Sequence, residues 1–272
     1  MTSTESHCFS HEFTHAIVRI PGINFADGLT SMDYGKPNYA TTRLQHSAYI
    51  AALSEACGLK LTILPADDCF PDSTFVEDAA IVTPEFAILT NPGAASRSGE
   101  VAAIEATIRQ EFKTVYQITS PGTLDGGDIC EADGHFFIGI SHRTNPEGAQ
   151  QLAAILQENG YTTSMIDIRS MATILHLKSG IAYIGDNRMI MWSDFESNPV
   201  FENYEKIFTV PDENYAANCV RVNDKILIPA DFPDIAEKLE KLDYDLLPLA
   251  MDEFEKMDGG LSCLSLRYKK EI

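Results

Sequence analysis

A strand–strand–helix–strand pattern returns along this chain about every 45–50 residues, and a repeat of that length points to a ring or stack of like units. In the clearest copy, residues 76–82 and 86–90 read as two strands joined by the Thr83-Pro84-Glu85 turn. A helix with Val101, Ile104, Ile108 and Phe112 on one face follows, then a short strand at 115–118. The next copy begins at once: strands 128–132 and 135–140 flank Asp133-Gly134, a strong two-residue hairpin signal. Asn145 can cap a helix that opens on Pro146, Gly160 can end it, and 161–168 is the closing strand. A further copy holds strands 180–184 and 189–192 around Asp186-Asn187, a short helix after Pro199, and a strand at 206–210. The last holds strands 218–222 and 226–229 around Asn223-Asp224, a helix over 234–242, and a strand at 245–249.

The N-terminal unit is incomplete. It offers a strand at 14–20, a helix over 38–57 with Leu44, Ala48, Ala52 and Ala56 at helical spacing, and a half-buried strand in which Leu59, Leu61 and Ile63 alternate with Lys60 and Thr62. One strand, 262–268, is left over. If it pairs beside the first, five complete ββαβ units close into an α/β ring. No Pro-, Gly- or Ser-rich linker interrupts the pattern, so residues 13–272 read as one domain after a flexible tail at 1–12.

Composition narrows the partners. Forty acidic and 20 basic residues give a formal net charge of −20, which disfavours nucleic acid and anionic membranes and would attract a small cation. No apolar run approaches the ~18 residues of a membrane span, and the polar start, 1–11, does not read as a signal peptide. The six cysteines include no C-x-x-C pair and no zinc-finger spacing. They read as reduced thiols of a cytoplasmic protein.

Candidate chemistry sits in short polar clusters. Cys263 follows Gly259-Gly260, so backbone N–H groups can lie close to its sulfur and stabilise charge there; the alternative is a small buried hydrophobe. His176 lies in the apolar stretch Thr173-Ile174-Leu175-His176-Leu177. It is either a structural histidine or, beside a Cys nucleophile, a general acid/base. Asp125 and Asp128 flank two glycines, and Asp72, Glu77 and Asp78 flank Phe75-Val76. Such acids are turn residues or a cluster around a cation, and a planar guanidinium suits them better than a metal because carboxylates bind it in bidentate fashion. Arg97 and Arg143 would bind a carboxylate by the same geometry in reverse, or are surface charges. The chain lacks a P-loop, a dinucleotide fingerprint, a G-x-S-x-G elbow and an H-E-x-x-H motif.

Together these clusters resemble the dimethylarginine dimethylaminohydrolase family of the guanidine-modifying superfamily. The resemblance rests on DGLTS at 27–31, FPDSTFVED at 70–78, PGAASR at 92–97, TLDGGD at 123–128, RTNPEGA from 143, HLK at 176–178, YAANC at 215–219 and DGGLSC at 258–263, and runs from about residue 13 to 268. It implies a five-bladed α/β propeller of ββαβ units around a central active site. It further implies Cys263 as nucleophile, His176 as general acid/base, and Asp125 as an acid contacting the guanidinium, the histidine or both. Asp78, with Glu77 beside it, matches the guanidinium-binding acid. Arg97 and Arg143 match the α-carboxylate site, and Asp72 with the carbonyls of Leu29 and Met257 the α-amino site. Residues 29–31 match a mobile lid. Some relatives carry a second arginine where Ser98 follows Arg97 here.

The implied reaction converts asymmetric dimethylarginine or monomethylarginine to citrulline and an amine through a covalent cysteine S-alkylthiouronium, with neither metal nor organic cofactor. The implied partner is a small cationic amino acid, and the sequence leaves a homodimer open. Arginine deiminase, or another guanidine hydrolase of the superfamily, is the rival. Those enzymes typically carry an acid two residues after the histidine, where this chain has Lys178. An amidinotransferase would need a second amine site. A non-catalytic amino-acid-binding protein would be marked by loss of the Cys or His, and both are present.

Overall fold

The computed structural model describes residues 11–171 and 173–270; the expected tail falls outside the described residues over 1–10. Five three-stranded sheets form a five-bladed α/β propeller. One blade comprises β3 (Ala80–Val82), β4 (Phe86–Leu89) and β5 (Thr114–Gln117), with helix α2 (Glu100–Glu111) crossing from β4 to β5. The next comprises β6 (Ile129–Ala132), β7 (His135–Ile140), α3 (Pro146–Glu158) and β8 (Thr162–Asp167). Then come β9 (Ile181–Tyr183), β10 (Arg188–Met191) and β11 (Glu205–Phe208), followed by β12 (Val220–Val222), β13 (Lys225–Pro229), α4 (Pro233–Glu240) and β14 (Asp245–Leu249). In each of these blades the first two strands pair antiparallel and the last two parallel.

The remaining blade draws on both ends of the chain. β1 (His15–Arg19) pairs parallel with β2 (Lys60–Leu64) after helix α1 (Tyr39–Ala51), and antiparallel with β15 (Leu266–Tyr268), His15 opposite Tyr268. The leftover strand therefore completes the incomplete unit and closes the ring. The first strands of neighbouring blades touch, β15 with β3, β6 with β9 and β9 with β12. Burial explains the apolar runs of the middle strands: every residue of β4 is buried, whereas no residue of β14 is fully buried. The hairpins turn where the sequence supplies residues that tolerate positive φ: Asp133-Gly134 at 47° and 84°, Asp186 and Asn187 at 55° and 59°.

Four expectations change. The strand expected over 76–82 is a 3₁₀ turn at Val76–Ala79 followed by β3, and that expected over 262–268 is a 3₁₀ turn at Ser262–Leu264 followed by β15. The element after Pro199 is a single 3₁₀ turn, Pro199–Phe201. The apolar stripe assigned to α1 is on the wrong face. Leu44 is 71 % exposed, while Thr42, Gln45, His46 and Tyr49 are buried. That polar face is stabilised by specific bonds: Gln45 donates to Asp252 and accepts from the Glu253 amide, and Thr42 donates to the Asn38 carbonyl.

Candidate active site

The loops at one end of the first strands form a pocket lined by Leu29, Asp72, Asp78, Arg97, Arg143, His176, Met257 and Cys263, with Phe75, Leu175, Asp258 and Gly259. Sequence neighbours divide between this pocket and a second cavity of about 160 Å³. Asp78, His176 and Cys263 face the first; Glu77, Lys178 and Ser262 line the second. The 3₁₀ turns cause this division, because consecutive side chains there diverge by about 120°.

Cys263 is half-buried in the middle of its turn, and its amide donates to the Gly260 carbonyl at 3.2 Å. Gly260 is needed for fit: a Cβ there would lie 2.4 Å from Asn218 Oδ1. His176 precedes the 3₁₀ turn Leu177–Ser179, and its Nε2 lies 3.1 Å from Asp125 Oδ2. Asp125 is fully buried, accepts from the Gly93 amide at 2.8 Å and has Arg143 Nη1 at 3.9 Å. It sits behind the pocket lining, and of its expected contacts the one with His176 is seen here. Gly127 passes directly against the imidazole, where a Cβ would lie 2.6 Å from Nδ1.

Asp78 accepts from the Gly127 amide at 2.8 Å and from Arg97 Nη1 at 2.5 Å. Arg97 is 4 % exposed and heavily engaged: Nε and Nη2 bond Glu100, and Nη2 also reaches the carbonyls of Asp72 and Phe75. At most one Nη1 hydrogen is left to enter the pocket, so Arg143, 17 % exposed at its side chain, is the freer of the two arginines. Asp72 accepts from the Leu29 amide at 3.1 and 3.2 Å. The segment expected as a lid is tied further by Thr30 Oγ1 donating to the Lys256 carbonyl and by the Ser31 amide and hydroxyl donating to Asp258. Glu77 differs from its expected role. Its carboxylate accepts from Ser262 Oγ at 2.9 Å, pairs with Lys178 and lies 3.5 Å from Arg267, away from the pocket.

Electrostatics set the resting protonation. Burial opposes the His176 imidazolium, but Asp78, Asp125 and Asp128 outweigh it and hold its pKa up at about 9. Burial also opposes charge on Asp78, yet Arg97 and His176 hold that carboxyl down at about 2. Cys263 goes the other way: burial, then Glu77 and Asp78, push its thiol up to about 12. At neutral pH the free site thus holds a neutral thiol, a charged imidazole and an ionised Asp78. Asp78, Asp125 and His176 have potential ligand atoms within 4.8 Å of one another, and one Asp78 oxygen is already bonded by Arg97.

A family model for arginine deiminase matches residues 68–228. The N(G),N(G)-dimethylarginine dimethylaminohydrolase of Pseudomonas aeruginosa is 44 % identical over 257 residues, spanning 94 % of this chain and 100 % of the relative. The chain belongs to the dimethylarginine dimethylaminohydrolase family. A solved structure of a Cys-to-Ser variant of the Pseudomonas aeruginosa enzyme complexed with citrulline superposes with a TM-score of 0.91 at 43 % identity, covering 94 % of this chain and 99 % of that one. A His-to-Gly dimethylarginine dimethylaminohydrolase, solved as an adduct with S-methyl-L-thiocitrulline, gives 0.90 at 43 % identity with the same coverage.

Within this family member, sequence reading missed the groups that support the pocket. Glu100 neutralises Arg97, and burial lifts its carboxyl to about 7 against the pull of that arginine. The signal was available as Arg97 and Glu100 three apart at a helix start. Asp128 anchors the histidine turn by accepting from the Leu177 amide at 3.0 Å and from Ser141 Oγ at 2.7 Å. Its motif was visible, but nothing in it distinguished an anchor from a turn residue.

Proposed function

We propose that this protein hydrolyses N-omega-methylated arginines to L-citrulline and dimethylamine or methylamine, with Cys263 as nucleophile and His176 as general acid and base. The observation that carries this reading is the convergence of Cys263, His176 and Asp78 on one pocket that also holds Asp72, Arg97 and Arg143. Asp78 supplies a carboxylate for the guanidinium, Arg143 a cation for the α-carboxylate, and Asp72 with the Leu29 and Met257 carbonyls the acceptors for the α-amine. Asp125 orients the imidazole from behind. Residues 13–272 act as one catalytic domain, because the pocket draws on segments from both ends of the ring.

The chemistry follows from the charges. A thiol surrounded by carboxylates resists ionisation, and a bound guanidinium offsets those carboxylates, so substrate binding itself favours the thiolate. The thiol proton goes to solvent. The thiolate attacks the guanidinium carbon, and His176 gives its proton to the departing amine, which cannot leave as an anion. A thiouronium remains on Cys263. The neutral imidazole then takes a proton from water, the hydroxyl adds to the carbon, and collapse releases citrulline and the thiolate. One positioned histidine serves both steps and contributes about 10²–10⁴-fold. No step requires a metal or cofactor. No described helix is long and apolar enough to cross a membrane, and free thiols at Cys57, Cys69, Cys130, Cys219 and Cys263 support a cytoplasmic location.

Methylated substrates are favoured over arginine by what faces the guanidinium. The residue two after the histidine is Lys178, which pairs with Glu77 and lines the other cavity, while Leu29, Phe75, Leu175 and Met257 give the pocket apolar walls. A dimethylated nitrogen has no N–H to offer an acid, so it suits these apolar walls, whereas an acid left buried and unpaired against it would cost about 1–3 kcal/mol or more. The test is kcat/KM for monomethylarginine, asymmetric dimethylarginine, symmetric dimethylarginine and arginine under one condition. The first two are expected to lead. Symmetric dimethylarginine should be poor because its second methylated nitrogen meets Asp78. Arginine as the best of the four would replace this reading with a deiminase.

Arg143→Ala should weaken substrates bearing an α-carboxylate by about 1.5–3 kcal/mol, the loss of one charged hydrogen bond. Agmatine-like compounds, which lack that carboxylate, should be affected much less. Equal losses for both types would remove Arg143 from carboxylate recognition.

A further inference from the structure

The nucleophile and the histidine stand on separate turns more than eighty residues apart in sequence, and their side chains must meet to act on one carbon. Between those turns lies Asn218, 6 % exposed, in the stretch Tyr215-Ala216-Ala217-Asn218-Cys219. Its Nδ2 donates to the Lys178 carbonyl at 2.9 Å and to Ser262 Oγ at 3.0 Å, and its Oδ1 accepts from the Ser262 amide at 2.9 Å. Lys178 belongs to the turn that begins just after His176; Ser262 is bonded directly to Cys263. The circuit closes through Glu77, which accepts from Ser262 Oγ and pairs with Lys178 Nζ.

We infer that Asn218 is a positioning residue that clasps the nucleophile turn to the general-acid turn and so fixes Cys263 relative to His176. The inference rests on the roles proposed above for those two residues. An amide side chain suits the task because one planar group supplies two donors and an acceptor. An aspartate of the same shape would bring its charge against the Lys178 carbonyl instead of donating to it. Gly260 leaves the room that the close approach of Asn218 requires, since any Cβ there would also lie 2.5 Å from Asn218 Cγ. Asn218 lines the second cavity and is absent from the pocket wall, so its removal spares the groups assigned to the amino-acid end of the substrate.

The test uses the full-length protein carrying Asn218→Ala and, separately, the isosteric Asn218→Asp, with asymmetric dimethylarginine as substrate. Misplacement of reacting groups by about 1 Å costs about a hundredfold, so kcat should fall by about that factor. KM should stay within about threefold in variants that still melt cooperatively, because uniform binding is untouched. A folded variant of either kind with kcat near wild type overturns the clasp, as does a raised KM with kcat retained. The isosteric variant guards against simple misfolding of the alanine one. Cys263→Ser is assayed in parallel: turnover there would refute the nucleophile assignment, whereas an inactive Cys263→Ser beside fully active Asn218 variants would refute the clasp alone.

Discussion

Cys263→Ser is expected to reduce citrulline release from asymmetric dimethylarginine by on the order of 10³-fold or more, while substrate affinity changes little. The serine hydroxyl ionises far less readily than a thiol, and the surroundings of residue 263 make matters worse. Burial, Glu77 and Asp78 already disfavour an anion on the sulfur. A bound guanidinium relieves that penalty enough for a thiol but leaves an alkoxide out of reach. The contacts assigned to binding, at Asp72, Asp78 and Arg143, do not involve the sulfur and should persist. Calorimetric titration of the variant with substrate, beside a citrulline assay, separates the two quantities. Wild-type turnover in the variant would exclude Cys263 from the mechanism.

His176→Gln should lower kcat/KM for asymmetric dimethylarginine by about 10²–10⁴-fold, because the leaving amine loses its proton donor. With S-methyl-L-thiocitrulline the leaving group is a thiolate that departs without a proton. The variant should then form the covalent adduct on Cys263 and stall, since no base remains to activate water. Mass spectrometry of the protein detects that adduct; its absence, with amine and thiolate substrates equally impaired, would mean that His176 is not the proton donor. The same residue gives a pH signature. Its folded pKa of about 9 lies above the ordinary 6.5. The stabilisation it contributes is therefore complete below pH 6.5 and is lost as pH rises through about 9. The difference in melting temperature between wild type and His176→Gln should be widest below the lower value and close above the higher. Imidazole NMR should show His176 charged at neutral pH.

The ring was legible in the chain because its hairpin turns require particular residues. Asp133-Gly134 and Asp186-Asn187 both adopt the positive φ angles that side chains of this kind tolerate. The face of α1 was not legible, because it buries Gln45 and His46 and exposes Leu44, and periodicity weighs apolarity without seeing the distant Asp252 that Gln45 bonds. The turns at 76–79 and 262–264 run directly into β3 and β15, so the apolar pattern of each strand extended the reading over its turn. Within the site, Cys263 was singled out by its paired glycines, while the role of His176 and the segment 29–31 came from the family resemblance. Glu100, three residues on, was within reach of the pattern; the rest of the load on Arg97 was not, because its guanidinium is also held by Asp78 and two carbonyls that only packing brings to it. Glu77 and Asp78 looked equivalent as adjacent acids, but the turn between them directs one to each cavity.

Closure of the ring by β15 has a consequence for how the protein acquires activity. The pairing of His15 with Tyr268 joins segments separated by nearly the whole described chain. Contacts of such long separation are slow to form, because most of the chain must be ordered before they are rewarded. The turn carrying Cys263 immediately precedes that closing strand. Anything that frees the closing strand therefore draws the sulfur away from the histidine, the arginines and the acids, so closure of the ring and chemical competence hang on the same pairing of chain ends.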